Sequence, residues 1–231
     1  MKFQIHTISI TVRVLIAYLI ILNLSCAPKA TPYANGPVMS KKNIRKTFRP
    51  IVQFMDVRPR MTFADVGAGS GVFSVMMATF MDSCNIYIQD IDTLTLRQSN
   101  LDKIIDFYSK QNNRNLRSNN NFRLTIGNET YTNLPDKTFD RIWMNGAIHI
   151  FNHVDSMIID LAKKMKPDGV LFIRETFKKN HEEVVYCSAE CRRPFVAIDD
   201  FIAIMRRNGF NLVKQVPDMS GSPVFAFALV K

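Results

Sequence analysis

Residues 65–71 read Asp65-Val66-Gly67-Ala68-Gly69-Ser70-Gly71, between an apolar run suited to a strand and a run with helical periodicity. Glycines at alternate positions permit the positive φ of a tight turn and let the backbone approach a ligand with no Cβ in the way. In doubly wound sheets a ligand sits at this point, outside the carboxyl ends of the strands and beside the first βα turn. Working outward, segments 61–66, 85–89, 122–126, 139–144, 170–174, 210–215 and 224–230 read as strands, and 72–81, 94–108, 153–165 and 199–208 as helices. That alternation predicts an α/β fold: a seven-stranded, mostly parallel sheet with helices on both faces. The last two strands have no helix between them, so segment 217–223 is expected to turn an antiparallel hairpin at the sheet's edge. The stretch 110–121, with six asparagines, reads as a solvated surface loop.

Two ligand classes compete for the glycine turn. The dinucleotide fingerprint G-x-G-x-x-G needs a glycine where this chain has Val72, and it has no place for an acid two residues before the first glycine. A carboxylate at a strand tip attracts a ligand that presents a cation and repels one that presents phosphates. S-adenosylmethionine carries an ammonium and a sulfonium and no phosphate, so the spacing D-x-G-x-G-x-G favours it.

With these residues in place, the chain from about residue 45 to 231 resembles the class I S-adenosylmethionine-dependent methyltransferases. The resemblance implies that Asp65, Gly67, Ala68, Gly69 and Gly71 hold the methionine end of S-adenosyl-L-methionine. It also implies that an acid closing the second strand binds the ribose hydroxyls. Asp90 lies 23 residues after Gly67 and fills that role, with Ile91 beside the adenine; Asp92 is the alternative if the strand runs further. Gly127-Asn128-Glu129 follows the third strand where the family often has Gly-Asp, so Asn128 and Glu129 are expected near the adenine amino group. Leu134-Pro135 ahead of Phe139-Asp140 resembles the family's lead into the fourth strand, which ends in Asn145, expected between cofactor and acceptor. Lys166-Pro167-Asp168-Gly169 resembles its turn into the fifth strand.

Methyl transfer from a sulfonium is an in-line displacement in which positioning carries most of the rate. A general base is needed where the acceptor must lose a proton. His149, just after the fourth strand, is the candidate for that catalytic role, with Glu175 at the end of the fifth a second candidate, and Tyr186 a candidate wall of the acceptor pocket. The fourth strand ends Met144-Asn145-Gly146, without the N-P-P-Y or D-P-P-Y run that grips a flipped amino base, and no Pro-Cys nucleophile is present. Nucleic acid is therefore not the expected acceptor, which leaves a small molecule or a protein side chain. No metal site is expected.

The start of the chain has a different character. Residues 14–24 form an apolar run of 11 residues, preceded by Lys2 and Arg13 and followed by Ser25-Cys26. That length suits a signal or lipoprotein-type leader over 1–26, with Cys26 as a lipidation site, although Asn23 departs from the usual leucine. A tether over 27–40 and a methyltransferase domain over 41–231 follow. The formal charge of +10 is concentrated in 41–60, where seven cations meet the single acid Asp56. A basic segment there is placed to touch an anionic membrane surface, to meet nucleic acid, or to lie as a solvated helix face. The close pair Cys187 and Cys191 allows free thiols or a disulfide.

The leader predicts a membrane-anchored or exported protein, yet the cofactor is made in the cytosol. Three resolutions follow: the true start is Met39 and the protein is cytoplasmic, the protein stays on the cytoplasmic side of the membrane, or the fold serves outside as a non-catalytic binding module.

Overall fold

The structure is a computed structural model that describes residues 36–178, 184, 194–219 and 221–231. The leader with Cys26, and also Tyr186, Cys187 and Cys191, lie outside the described residues. Among the described residues no helix is long and apolar enough to cross a membrane.

In chain order the elements are α1 (Lys41–Phe54), β1 (Thr62–Val66), α2 (Val72–Ala78), β2 (Asn85–Asp90), α3 (Gln98–Asn112), α4 (Leu116–Asn119), β3 (Asn121–Ile126) and β4 (Phe139–Asn145). A 3-10 turn (Ile148–Ile150), α5 (Val154–Lys164), β5 (Met165–Arg174), α6 (Ile198–Arg207), β6 (Phe210–Val216) and β7 (Val224–Leu229) complete them. The seven strands form one sheet in the order β3-β2-β1-β4-β5-β7-β6. The first five are parallel, and β7 runs antiparallel to both β5 and β6. The expected hairpin is present, with its second strand on the inside.

Strand alternation divides the core between two layers. On one face Phe63, Ile86, Ile88, Trp143 and Phe172 pack against α1, α2 and α3. On the other, Ala64, Val66, Ile142, Met144 and Ile173 pack against α5 and α6. Phe201, Phe225 and Phe227 form a cluster of edge and stacked rings under α6. The strand order reverses between β1 and β4, which opens a crevice at their carboxyl ends.

Several segments differ from the sequence-based expectation, each for a local reason. The helix expected from residue 94 begins at Gln98, because Asp92 accepts hydrogen bonds from the backbone of Leu94 and Thr95 and holds a turn instead. The asparagine-rich stretch expected as a loop contains α4, anchored by fully buried Leu116. Asn115 caps it by accepting from the N–H groups of Arg117 and Ser118. Asn120 is buried too, accepting from Cys84 N and donating to Met81 O. The Lys166–Gly169 turn is a bulge inside β5: Phe139 pairs with Met165 and Arg141 with Val170. Lys166 Nζ clamps both oxygens of Asp140 at 2.8–2.9 Å. Gly169 is required there, since a Cβ would come within 2.7 Å of Phe139 O.

The end of the expected tether is already bonded to the domain. Met39 N donates to Tyr108 Oη at 3.3 Å and Gln111 Nε2 donates to Met39 O at 3.0 Å, so contacts with α3 begin before α1.

Candidate active site

The glycine turn closes β1 as expected. Gly67, Gly69 and Gly71 have φ of 71°, 55° and 78°, the left-handed region that glycine enters at no steric cost. Each is needed for a different reason. A Cβ on Gly67 would lie 2.6 Å from that of Ala147, so the turn packs directly against the loop after β4. A Cβ on Gly71 would meet Ile88 at 2.9 Å. A Cβ on Gly69 would meet nothing within 4 Å, so this glycine borders open space from which a ligand can approach the backbone.

The two acids of this half sit in different environments. Asp90, half-buried at the tip of β2, is tied to the turn: its Oδ2 accepts from Gly69 N at 2.7 Å. Its Oδ1 accepts from Ile91 N at 2.7 Å and Asp92 N at 2.9 Å. A carboxylate has about four lone-pair sites; three are used here, and the remaining one can take a ribose hydroxyl. Asp65 points to the other side of the sheet, on the face of Phe63, where it is almost fully buried and accepts from Ser74 Oγ of α2 at 2.5 Å. Burial pushes its carboxyl up to about 7, against the lowering effect of the Ser74 hydrogen bond, and the nearby negative charge of Asp90 adds to the rise. Strand alternation, which sends Asp65 toward α2, makes it a support of the turn and not part of the cleft wall.

A cleft opens at this switch point, and its wall brings together Gly67, Asp90, Ile91, Asn128 and Glu129. Asn128 holds its own loop: its Oδ1 accepts from Thr130 N, Thr130 Oγ1 and Tyr131 N at 2.9–3.0 Å, so the oxygen expected to meet adenine is already engaged. Glu129 lies 3.9 Å from His153 Nε2. Asn145 is outside this wall, because Arg174 Nη1 donates to its Oδ1 at 2.9 Å and turns it toward β5. Ala68 donates its N–H to Gln89 O at 3.0 Å and packs against the core layer that contains Phe63. Sequence reasoning missed Gln89, Ile150, Phe151 and Met157, which complete the cleft. Ile150 is 59% exposed, and its place beside a ligand cleft gives that apolar exposure a purpose.

The second half of the site grows from the ends of β4 and β5. Glu175 is buried with four donors around it: Ile148 N at 3.1 Å and His149 N at 3.4 Å on Oε2, Thr176 N at 2.8 Å and His149 Nδ1 at 3.0 Å on Oε1. A carboxylate can only accept, so Nδ1 carries the proton of neutral His149 and Nε2 keeps its lone pair. The ring lies edge-on to Phe195 at 5.0 Å. His149 and Glu175 line a second cavity of about 460 Å³ with Ile148, Phe195 and Val196, and Asn152 borders both this cavity and the cleft.

Residues 64–173 match the family of the methyltransferase domain. The match starts two residues after β1 opens and ends within β5, so it covers the glycine turn, Asp90 and the β4 tip. S-adenosylmethionine is the cofactor of methyltransferases of this fold, and the residues present are compatible with it: an open glycine backbone at Gly69, the Asp90 carboxylate with one acceptor site left, and a cleft with mostly apolar walls. No curated protein sequence matches the chain. Among solved structures, the fold is similar to a SAM-dependent methyltransferase from Aquifex aeolicus at 16% identity and a TM-score of 0.59, covering 84% of this chain and 100% of that one. It is also similar to the [4+2]-cyclase SpnF, at 14% identity and TM-score 0.61 over 95% of this chain and 94% of the other. A third is the mitomycin 7-O-methyltransferase MmcR, at 13% identity and TM-score 0.56 over 77% of this chain and 50% of the other.

Proposed function

We propose that the chain transfers a methyl group from S-adenosylmethionine to the hydroxyl of a small molecule, with His149 as general base. The observation that carries this reading is the His149–Glu175 pair, set beside the cofactor cleft and lining a cavity of its own. Bound in the cleft, the cofactor supplies an electrophilic methyl carbon on a sulfonium. The chain's residues do the rest. The glycine turn and Asp90 fix the cofactor. Ile148, Phe195 and Val196 offer apolar walls to the acceptor's body. Nε2 of His149 takes the hydroxyl proton as the oxygen attacks, and the buried Glu175 carboxylate holds Nδ1–H and stabilises the imidazolium that forms.

The hydroxyl acceptor agrees with the need for a base and has a parallel in the 7-O-methyltransferase to which the fold is similar. A protein side chain remains the second acceptor class. A second reading, a domain that binds the cofactor without methyl transfer, draws on the near-saturated Asp90 carboxylate and on the fold's likeness to a cyclase.

Calorimetry with S-adenosylmethionine and its demethylated product, followed by a screen of phenols, alcohols, amines and thiols for uptake of labelled methyl, tests both. Binding with methyl uptake on hydroxyl compounds is the expected result. No binding of either cofactor form overturns the enzyme reading, and binding without transfer to any acceptor class favours the second.

A further inference from the structure

Helix α1 presents an uneven surface. Ile44, Phe48, Ile51 and Val52 are buried against the domain, whereas Lys41, Lys42, Arg45, Lys46 and Arg49 are exposed, and the helix has no acid. At 3.6 residues per turn the five cations fall within an arc of about 140°, and the uncharged Asn43, Thr47 and Pro50 take the other flank. Among the described residues none of the five is in an ion pair. Charge of one sign in this density is self-repelling, and among the described residues no acid pairs with it.

The stripe borders a groove. Lys41, Arg45 and Arg49, spaced one turn apart, line a groove of about 670 Å³ whose far side holds Thr79, Phe80 and Arg114. Its one acid, Asp56, is already held by Arg58 at 2.5 Å and lies 3.8 Å from Arg141. Thr79 and Phe80 follow the end of α2, which runs back from the carboxyl end of β1. The groove therefore lies at the amino-terminal edge of the strands, away from the cofactor cleft.

We propose that this basic groove docks the domain on an anionic phospholipid surface, with the cofactor cleft turned away from the bilayer. Charge complementarity selects a polyanion, and two further features select lipid. The apolar run 14–24 ends 17 residues before Lys41. At roughly 3.5 Å per extended residue, a leader held in a membrane keeps α1 within about 60 Å of that surface. Single-stranded nucleic acid is gripped by aromatic platforms as well as cations, and the groove's one aromatic, Phe80, is half-buried.

The test is flotation of the full chain with vesicles of phosphatidylcholine alone, and with vesicles of which about a third is phosphatidylglycerol. Neutral vesicles report the leader's own affinity, and the anionic increment reports the groove. The triple variant Lys41→Gln, Arg45→Gln, Arg49→Gln is expected to lose on the order of a hundredfold of the anionic increment and nothing on neutral vesicles. High salt should erase the same increment from the unmodified chain. The charge-retaining set Lys41→Arg, Arg45→Lys, Arg49→Lys should bind as the unmodified chain does, which separates lost charge from lost folding. An equal loss from removing exposed Lys103, Lys137 and Arg206 overturns the proposal, as does an unchanged triple variant. An oligonucleotide that binds more tightly than anionic vesicles and displaces them assigns the groove to nucleic acid instead.

Discussion

The β1–β3 half and the β4–β5 half of the sheet meet at one crevice, and each places a carboxylate there by different means. Asp90 is satisfied by main-chain N–H groups from its own strand end and from the glycine turn. Glu175 is satisfied partly by main chain, but its role depends on a side chain 26 residues away, His149. Both need neighbouring strands to be paired, β1 with β2 and β4 with β5, but the first is made by main-chain groups alone and the second needs a particular side chain as well. A site of the first kind tolerates change in its surroundings, whereas one of the second kind is lost with either partner.

The largest effect expected from this contrast is in the second half. His149→Ala should lower methyl transfer to the acceptor found by the screen by a hundred- to ten-thousandfold, while calorimetric affinity for S-adenosylmethionine stays as it was. A parallel fall in affinity would show that the halves are not separable. Glu175→Gln should give a smaller loss of transfer and move its pH profile, because an amide facing Nδ1–H no longer stabilises the imidazolium; an unmoved profile would reduce Glu175 to packing.

In the first half, Asp90→Ala should weaken cofactor binding by more than about tenfold, the worth of a charge-assisted hydrogen bond. Unchanged affinity would mean that the ribose acid lies elsewhere, with Asp92 the next to test. Asp65→Asn should leave affinity nearly unchanged and act on stability. With its native-state carboxyl raised to about 7 from an unfolded value near 4, Asp65 favours folding fully below pH ~4, and that contribution declines as pH rises to about 7. Urea unfolding of Asp65→Asn across this range should lack that decline, and an equally steep decline in the variant would place the titration on another group.

The same contrast explains what was legible in the sequence. The turn, the place of Asp90 at the tip of β2 and the succession of strands and helices along the chain follow from local rules: alternate glycines, an acid at a fixed distance, and hydrophobic periods of two and 3.6. For Asp65, proximity to the glycines in sequence hides the strand's alternation, which turns its side chain to Ser74. Asn128 and Asn145 were assigned by their positions at strand ends, and each is engaged by a partner, its own loop or Arg174, that only the fold reveals. Ile150, Phe151 and Met157 reach the cleft through the 3-10 turn and α5, which no short motif announces. The asparagine-rich stretch misled through composition, since buried Leu116 and the capping of Asn115 outweigh its polarity.

The inner position of β7 bears on how the molecule is made. β6 leaves the ribosome first, yet its ladder partner is β7 and not β5. During synthesis β6 therefore has an unmade neighbour on the side facing the sheet until β7 emerges with Phe225 and Phe227, which fill the core on the α6 side. A chain stopped between β6 and β7 has its parallel strands but no closed aromatic layer, so that layer cannot close before β7 is made.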